Sequence, residues 1–294
     1  MTSVPFDDRD GVIWLDGAFV PWRDARLHVL SHGLHYGGGV FEGIRVYDGR
    51  PFKSAEHFRR FHASARELNF TIPHSVPDLD AALEETVRRQ GIVDGYVRPV
   101  AWRGSEQIAV SGAGTSVHVA IAAWEWPHVF SGDAHSRGIT LHTSRWRRPS
   151  PDTAPVRAKA ASLYAIGTLA RDEAEAAGCD DALLLDHRGH LAEATGANLF
   201  LVTGGSLHTP IADTFLDGIT RQTVLALARD LGITVHERHI RPGELRDADE
   251  VFLTGTAYEV QPVRAVDGHA VEVGDVTAML SKAYTELTRS AGAR

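Results

Sequence analysis

The sequence of 294 residues has a single cysteine, no long apolar segment and no excess of positive charge. Cys179 alone excludes an intrachain disulfide and a metal site built from several thiolates. No uncharged apolar run approaches the ~18–20 residues of a membrane-spanning helix. Thirty Lys+Arg against 38 Asp+Glu give a net charge of −8, the wrong sign for neutralising phosphates. We therefore expect neither a membrane nor nucleic acid as a partner.

The remaining composition is typical of a globular protein with two domains. Hydrophobic residues make up 43% of the chain, with 28 glycines and 13 prolines, and the length exceeds what one hydrophobic core usually serves. Short strands with Asp-Gly turns dominate the first third, and the second part alternates strands with longer helices. We predict an α+β fold with a small N-terminal α/β domain over 1–126, a linker over 127–135 and a larger C-terminal domain over 136–294. The first ten residues carry acids and lack the apolar centre of a signal peptide, which predicts a cytoplasmic location.

Helix boundaries are indicated at several places. Apolar residues recur at helical spacing after Ser54, which is expected to cap that helix, and a second helix is predicted from about Val76 to Gln90. A third runs from Thr220 to Leu231 and stops at Gly232. The segment from Ser281 to Arg294 is expected to form a solvated helix.

Lysine is the scarcest charged residue, since only Lys53, Lys159 and Lys282 occur among the 30 basic residues. Lys53 and Lys282 stand in surroundings typical of a solvated ammonium group. Lys159 lies between small residues, in Arg157-Ala158-Lys159-Ala160-Ala161-Ser162, which leave room for a flat molecule beside the amine. Burial disfavours the charged form of an amine and makes it a nucleophile toward a carbonyl carbon.

Two further segments could bind the other groups of a carbonyl cofactor. Asp217-Gly218-Ile219-Thr220-Arg221 opens an amphipathic helix, whose free amides and hydroxyl suit a phosphate, although a plain capping turn also fits the pattern. Glu193 stands between two apolar strand segments, where a carboxylate needs a partner. Amine, phosphate site and carboxylate are the three fixed points that hold pyridoxal 5'-phosphate (PLP).

The chain resembles the fold-type IV (class IV) PLP-dependent aminotransferases, most closely the branched-chain amino acid aminotransferases, over nearly its whole length. The resemblance implies two domains, the larger being a mixed α+β pseudo-barrel that binds PLP. It rests on these segments, in the family's order: Leu34-His35-Tyr36-Gly37, Val40-Phe41-Glu42-Gly43-Ile44-Arg45, Glu56-His57-Phe58-Arg59-Arg60-Phe61-His62, Tyr96-Val97-Arg98-Pro99, Ala158-Lys159-Ala160, Glu193-Ala194 with Asn198-Leu199-Phe200, Gly218-Ile219-Thr220-Arg221, and Thr254-Gly255-Thr256-Ala257.

The resemblance implies that Lys159 is the catalytic residue, which binds PLP covalently and moves the substrate proton. Glu193 would pair with the pyridine nitrogen and keep it protonated. Tyr164 is the candidate partner of the ring hydroxyl, and a tyrosine of the hydrophobic core is the alternative interpretation.

The same resemblance implies how the phosphate is bound. Arg60 would contact it together with the amides of Ile219 and Thr220, and the hydroxyl of Thr256 could add a further contact. The adjacent Arg59 is the rival of Arg60, and only the family's spacing favours Arg60.

The substrate pocket is predicted partly from strand alternation, which puts Phe41, Gly43 and Arg45 on one face. Phe41 would supply an apolar wall and Gly43 room. The resemblance adds residues for the substrate's carboxylates and side chain, namely Tyr36, Tyr96, Arg98, Trp126, Thr256 and Ala257.

Two segments depart from the family's pattern. Val129 stands where a carboxylate-binding tyrosine is common, and Gly104-Ser105-Glu106-Gln107-Ile108-Ala109-Val110 lacks the usual glycine-and-methionine pattern of a loop that reaches a neighbouring site. An amino donor other than glutamate, or a larger acceptor, therefore stays open, as does a place in amino-acid biosynthesis or in specialised metabolism.

The resulting prediction is PLP-dependent transamination of L-amino acids with apolar side chains, and branched-chain amino acids with 2-oxoglutarate are the first substrates to consider. The resemblance also implies a homodimer or a higher homo-oligomer. The alternatives are a D-amino acid or (R)-amine transaminase, an aminodeoxychorismate lyase, or a PLP-binding regulatory protein without turnover. No metal is expected, because the 16 histidines show no third ligand at a familiar spacing.

Overall fold

The computed structural model describes residues 4–126 and 137–290. They fall into two compact units: the first comprises 4–126 and Ala158–Ser162, and the second 137–157 and 163–290. The predicted linker, 127–135, lies outside the described residues. Within the described ranges no helix is long and apolar enough to cross a membrane.

In its described part the first unit contains a sheet of seven strands in the order β2-β1-β7-β6-β4-β5, with β3 paired to β6 beside β4. Glu42 and Gly43 separate β3 from β4, opposite Pro99, which has no N–H to donate to the ladder. The strands are β1 (Val12–Leu15), β2 (Ala18–Pro21), β3 (Gly39–Phe41), β4 (Ile44–Tyr47), β5 (Arg50–Pro51), β6 (Gly95–Arg103) and β7 (Val117–Glu125).

Helices α2 (Ser54–Glu67) and α3 (Val76–Gln90) bury their apolar stripes with one face of this sheet, and the short α1 (His32–Tyr36) precedes β3. Helix α3 has the predicted bounds. Ser54 is not the cap of α2: Lys53 takes that position at φ +52°, and Ser54 is already helical. The shared core includes Val40, Ile44, Val46, Phe58, Phe61, Leu79, Leu83, Val97 and Ile121.

The described part of the second unit contains a sheet of nine strands, in which β10 pairs with both β9 and β11. The path β10-β9-β8-β15-β14-β11 therefore closes on itself, which confirms the predicted pseudo-barrel. The strands are β8 (Ile139–Arg148), β9 (Asp181–Asp186), β10 (Leu191–Ala194), β11 (Asn198–Thr203), β12 (Ser206–Pro210), β13 (Val235–Arg238), β14 (Glu250–Gly255), β15 (Glu259–Val266) and β16 (His269–Ala270).

The helices of the second unit are α4 (Tyr164–Ala176), α5 (Ile219–Asp230) and α6 (Asp275–Arg289). The C-terminal helix begins earlier than predicted and is not simply solvated, because Leu280 and Tyr284 are buried on its inner face. Short 3₁₀ helices span Trp22–Asp24, Ala161–Leu163 and Pro242–Arg246.

Candidate active site

Lys159 is held by its backbone against the strands and helices of the first unit. Its N–H donates to the Ser64 hydroxyl of α2 at 2.9 Å, and its carbonyl accepts from the N–H of Phe41 at 3.1 Å. Ala160 forms an isolated β-bridge with Val40. The segment Ala158–Ser162 is thus bonded to β3 and α2 of the first unit, with the half-buried lysine side chain at its centre.

The ring of Phe41 lies near two cationic groups of the first unit. The Lys159 Nζ atom is 4.9 Å from the ring centroid, and the Arg98 guanidinium carbon is 4.7 Å from it. Arg98 also lies over the Tyr96 ring at 5.4 Å and donates a long hydrogen bond of 3.4 Å to the Tyr96 hydroxyl. Such cation–π contacts keep a charged group in place on an apolar wall.

Gly43 and Trp126 complete the surroundings of Tyr96. A Cβ at Gly43 would lie 1.8 Å from the Tyr96 hydroxyl, so no other residue fits there without displacing that ring. The rings of Tyr96 and Trp126 pack edge to face with centroids 4.5 Å apart. Arg45 shares this face but is buried and donates to the Trp126 carbonyl at 2.9 Å. Phe41, Gly43 and Arg45 therefore share one face, as predicted. On this face Arg45 binds a backbone carbonyl, that of Trp126.

Arg60 and Arg59 differ sharply in their surroundings on α2. Arg59 is exposed, whereas the half-buried Arg60 donates two hydrogen bonds of 2.7 and 2.8 Å to the carboxylate of Glu42. His57 places its Nδ1 atom 2.7 Å from the same carboxylate. Burial acts to raise the pKa of Glu42, but the Arg60 guanidinium and the hydrogen bond from His57 hold it well below its usual range, and burial lowers the pKa of His57.

Glu193 lies half-buried on β10 in the second unit, beside a residue that sequence reasoning missed. The Nε atom of Arg148, on β8, is 3.2 Å from a carboxylate oxygen of Glu193, and both side chains are largely shielded. Asn198 approaches the other oxygen at 3.4 Å. Glu193 therefore has the positive partner that its apolar strand required.

Ile219 and Thr220 begin α5, where Gly218 is the N-cap and offers no side chain to the free amides. Among the described residues, no acceptor is found for the N–H groups of Ile219 and Thr220. A Cβ at Gly218 would lie 2.2 Å from the Asn198 side-chain oxygen, which accepts the Gly218 N–H at 3.2 Å. Free amides at a helix N-terminus are suited to an anion.

Thr256 and Ala257 form the turn between β14 and β15, and the turn is fixed by its third residue, Tyr258. The Tyr258 hydroxyl donates to the fully buried Asp181 at 2.7 Å, and Thr195 donates to the other oxygen of Asp181 at 2.6 Å. Burial and the negative charge of Asp181 raise the pKa of Tyr258 far above its usual value. The phenol is therefore an uncharged structural donor.

The remaining predicted residues are placed as follows. Tyr36 ends α1, is 43% exposed and contacts the rings of His32 and His35. Tyr164 is the half-buried first residue of α4 in the second unit. Val129 lies outside the described residues. Within 4–126 and 137–290, no group of three His, Cys, Asp or Glu residues could hold a metal ion.

The donor types present fit the chemical groups of PLP. The first unit supplies an amine on Lys159, a cation on Arg60 and the aromatic wall of Phe41. The second supplies the shielded carboxylate of Glu193 and the unpaired amides of α5. The amine suits the aldehyde of PLP, the cation and the amides suit its phosphate, the aromatic wall suits its flat ring, and the carboxylate suits its pyridine nitrogen.

Comparison with known proteins gives consistent matches. The model of the amino-transferase class IV family matches residues 39–266. A branched-chain-amino-acid aminotransferase of Pseudomonas aeruginosa is 42% identical over 287 residues, which cover 95% of this chain and 94% of that protein. Solved structures of a branched-chain amino acid aminotransferase from the organism abbreviated T.th. are 41% identical. The one with pyridoxamine 5'-phosphate has a TM-score of 0.93 and covers 96% of both chains, and the one complexed with N-(5'-phosphopyridoxyl)-L-glutamate has a TM-score of 0.91 and covers 97% of this chain and 96% of that one.

Proposed function

Because the chain belongs to the class IV aminotransferases, we propose that it uses PLP to transfer the amino group of branched-chain L-amino acids to 2-oxoglutarate. The matches confirm the predicted family and enzyme class. Relatives named for branched-chain amino acids support these amino acids as donors. A structural neighbour complexed with a glutamate derivative supports 2-oxoglutarate as the acceptor.

The observation that carries the proposal is the proximity of the Phe41 ring to two cations of the first unit. Transamination requires an amine at the reacting centre and a pocket that accepts an apolar side chain in one half-reaction and a second carboxylate in the other. Phe41 contacts the Lys159 amine and the Arg98 guanidinium. An aromatic wall with one reachable arginine can bind both kinds of side chain.

The residues of the chain then take these roles. When bound, PLP supplies a ring that withdraws the electrons left on the substrate's α-carbon. Lys159 would hold the cofactor through its amine, and its Nζ atom is the group that would take the substrate's α-proton and return it. The hydrogen bonds of the Lys159 backbone to Ser64 and Phe41 restrict the positions that the Nζ atom can reach.

The second unit would bind the rest of the cofactor. Glu193 would accept a hydrogen bond from the protonated pyridine nitrogen, and Arg148 orients this carboxylate through its ion pair. Of the groups proposed for the phosphate, the second unit would supply the amides of Ile219 and Thr220 and the hydroxyl of Thr256, and the first unit would supply Arg60. Tyr164 bonds the ring hydroxyl, and the Thr256-Ala257 turn binds the α-carboxylate.

Replacement of Lys159 tests the central assignment. Lys159→Ala should lose the absorbance band of covalently bound PLP and all measurable conversion of L-valine, L-leucine and L-isoleucine with 2-oxoglutarate. Lys53→Ala is the matched control and should keep both. A Lys159→Ala protein that transaminates at the wild-type rate would refute the proposal, and faster turnover of the D-enantiomers would refute its stereochemistry.

We propose a homodimer and a cytoplasmic location as parts of the same function. A cavity of about 790 Å³ on the Arg98 face of the first unit's sheet is walled mainly by apolar side chains, including Trp22, Trp102 and Trp124. Leu27, Leu34, Ile108 and Val110 are also exposed, and apolar surface of this kind favours a second copy as occupant. Light scattering should give twice the 32.0 kDa of one chain; the monomer mass would contradict the dimer. Activity assays on cell fractions test the location.

A further inference from the structure

Glu42 is a charged residue within the apolar core of the first unit. It lies between β3 and β4 and points to the opposite side from Phe41 and Gly43, its neighbours in the chain. Its side chain is 0% exposed, like those of Ile44 and Val46 on the same face. A carboxylate there costs more free energy to bury than an apolar side chain of the same size, so its presence calls for a reason other than stability.

The contacts of Glu42 are directed at one helix. Both carboxylate oxygens accept from Arg60, through Nε at 2.7 Å and Nη2 at 2.8 Å, which is the bidentate arrangement. His57, one turn earlier on α2, lies with Nδ1 2.7 Å from Oε2 and is 2% exposed. Since an ionised carboxylate can only accept, Nδ1 of His57 is the donor.

We infer that Glu42 and His57 are positioning residues, which fix the guanidinium of Arg60 for the phosphate of the cofactor. This rests on the proposed function, in which Arg60 binds that phosphate. A guanidinium on a flexible side chain can adopt many orientations. Two parallel hydrogen bonds to a rigid carboxylate restrict it to one orientation. His57 fixes the carboxylate in turn, so two buried side chains, Glu42 and His57, orient the half-buried Arg60.

Uncharged His57 suits this role. Burial lowers its pKa, and the cations of Arg60 and Lys159 act in the same direction, against the attraction of Glu42. A neutral imidazole still donates through Nδ1 while leaving Arg60 as the cation of the cluster. The cluster therefore fixes Arg60 without adding a second positive charge beside Lys159.

The test compares two cofactor forms, PLP and pyridoxal, which lacks the phosphate, on the cofactor-free full-length chain. Glu42→Gln keeps the size of the side chain but brings an NH₂ group against donors of Arg60 or His57. Its Kd for PLP, measured by absorbance titration, should rise at least about tenfold, as expected for a lost charge-assisted hydrogen bond. Its Kd for pyridoxal should stay within about twofold of the wild type.

Glu250→Gln is the matched control. Glu250 is also buried, and it accepts from Val276 N–H, Thr277 N–H and the Thr277 hydroxyl at 2.6–3.0 Å, but it serves the N-terminus of α6. This variant should leave the preference for PLP over pyridoxal unchanged. If Glu42→Gln weakens both cofactor forms equally, Glu42 is merely structural and the inference fails.

A second pair of variants covers the case in which Glu42→Gln does not fold. His57→Asn retains an amide donor near the Nδ1 position, whereas His57→Phe removes it. His57→Phe should lose several-fold more preference for PLP than His57→Asn, and equal preferences in the two would overturn the inference. A wild-type protein that does not prefer PLP over pyridoxal would instead contradict the phosphate site of the proposed function.

Discussion

At the scale of single residues, the proposed function gives Arg98 a part in binding two different substrates. It is half-buried against the rings of Phe41 and Tyr96, so its charge is partly desolvated and its position is restricted. An aliphatic substrate side chain can pack on the same rings. A dicarboxylic substrate gains a charge-assisted bond to the guanidinium.

Arg98→Ala should therefore raise KM for 2-oxoglutarate and L-glutamate by about 10- to 100-fold, the range expected for a lost bond to a charged group. KM for L-valine should change much less, because its side chain has no carboxylate. Steady-state kinetics with each substrate varied in turn measures both effects. Arg89→Ala is the matched control, since Arg89 also lies over a ring, that of Phe19, but on α3. An equal rise of KM for all substrates would show that Arg98 is structural.

Which residues can be predicted from the sequence depends on whether their signal is local. Phe41, Gly43 and Arg45 can be placed together because alternation along a strand is a property of neighbouring residues. The partner of Glu193 cannot be found by such reasoning, because Arg148 lies 45 residues earlier in the chain and reaches Glu193 across the intervening strand β9. Alternation also puts Glu42 on the opposite face from Phe41, but no local pattern reveals that its partners lie on α2.

At the scale of elements, helix α3 has predictable ends because both are marked by short-range chemistry. Ser75 accepts from the Asp78 N–H, and Asp78 accepts from the Ser75 N–H, which together form a capping box. Gly91 ends the helix at φ +65°. Helix α2 lacks such marks: its entry depends on the left-handed Lys53 after β5, so the predicted cap lies one residue too late.

Ser75→Ala should destabilise the first unit by about 1 kcal/mol, because one N–H of the first turn of α3 loses its acceptor. Ser75→Gly, which leaves that turn open to water, should cost only a few tenths of a kcal/mol. Thermal unfolding followed by circular dichroism measures the difference between the two variants. Identical melting curves for Ser75→Ala and the wild type would show that the cap does not limit stability.

At the scale of the whole molecule, the buried cluster of Glu42, His57 and Arg60 makes stability depend on pH. Burial lowers the pKa of His57 in the folded state, so the unfolded chain binds its proton first as the pH falls. The contribution of a neutral His57 is complete above its ordinary pKa of about 6.5 and is lost as the pH falls from there toward the lowered value. Glu42, whose pKa is also lowered, adds a loss that begins as the pH falls through the ordinary pKa of a glutamate, about 4.3, and continues toward the lowered value.

The free energy of unfolding of the wild type should therefore fall more steeply between about pH 6.5 and 5 than that of His57→Asn. The difference in slope can reach at most about 1.4 kcal/mol per pH unit, the value for one proton. Urea unfolding at half-unit pH steps measures both slopes. The two proteins differ only at His57, so the neighbouring Glu42, Arg60 and Lys159 are the same in both. Parallel slopes would mean that His57 titrates as it does in the unfolded chain.

By their contacts, the five residues Ala158–Ser162 belong to the first unit, although the residues on both sides of them in the chain belong to the second. During synthesis, the first unit can therefore be completed only after Ala158–Ser162 has been added, because this segment bonds to Val40, Phe41 and Ser64. Such a late, distant closure is an entropically expensive step of folding. A fragment that ends at Trp126 would lack Lys159, and the remaining residues would lack Phe41 and Ser64, so neither part alone holds the contacts that fix the Lys159 backbone.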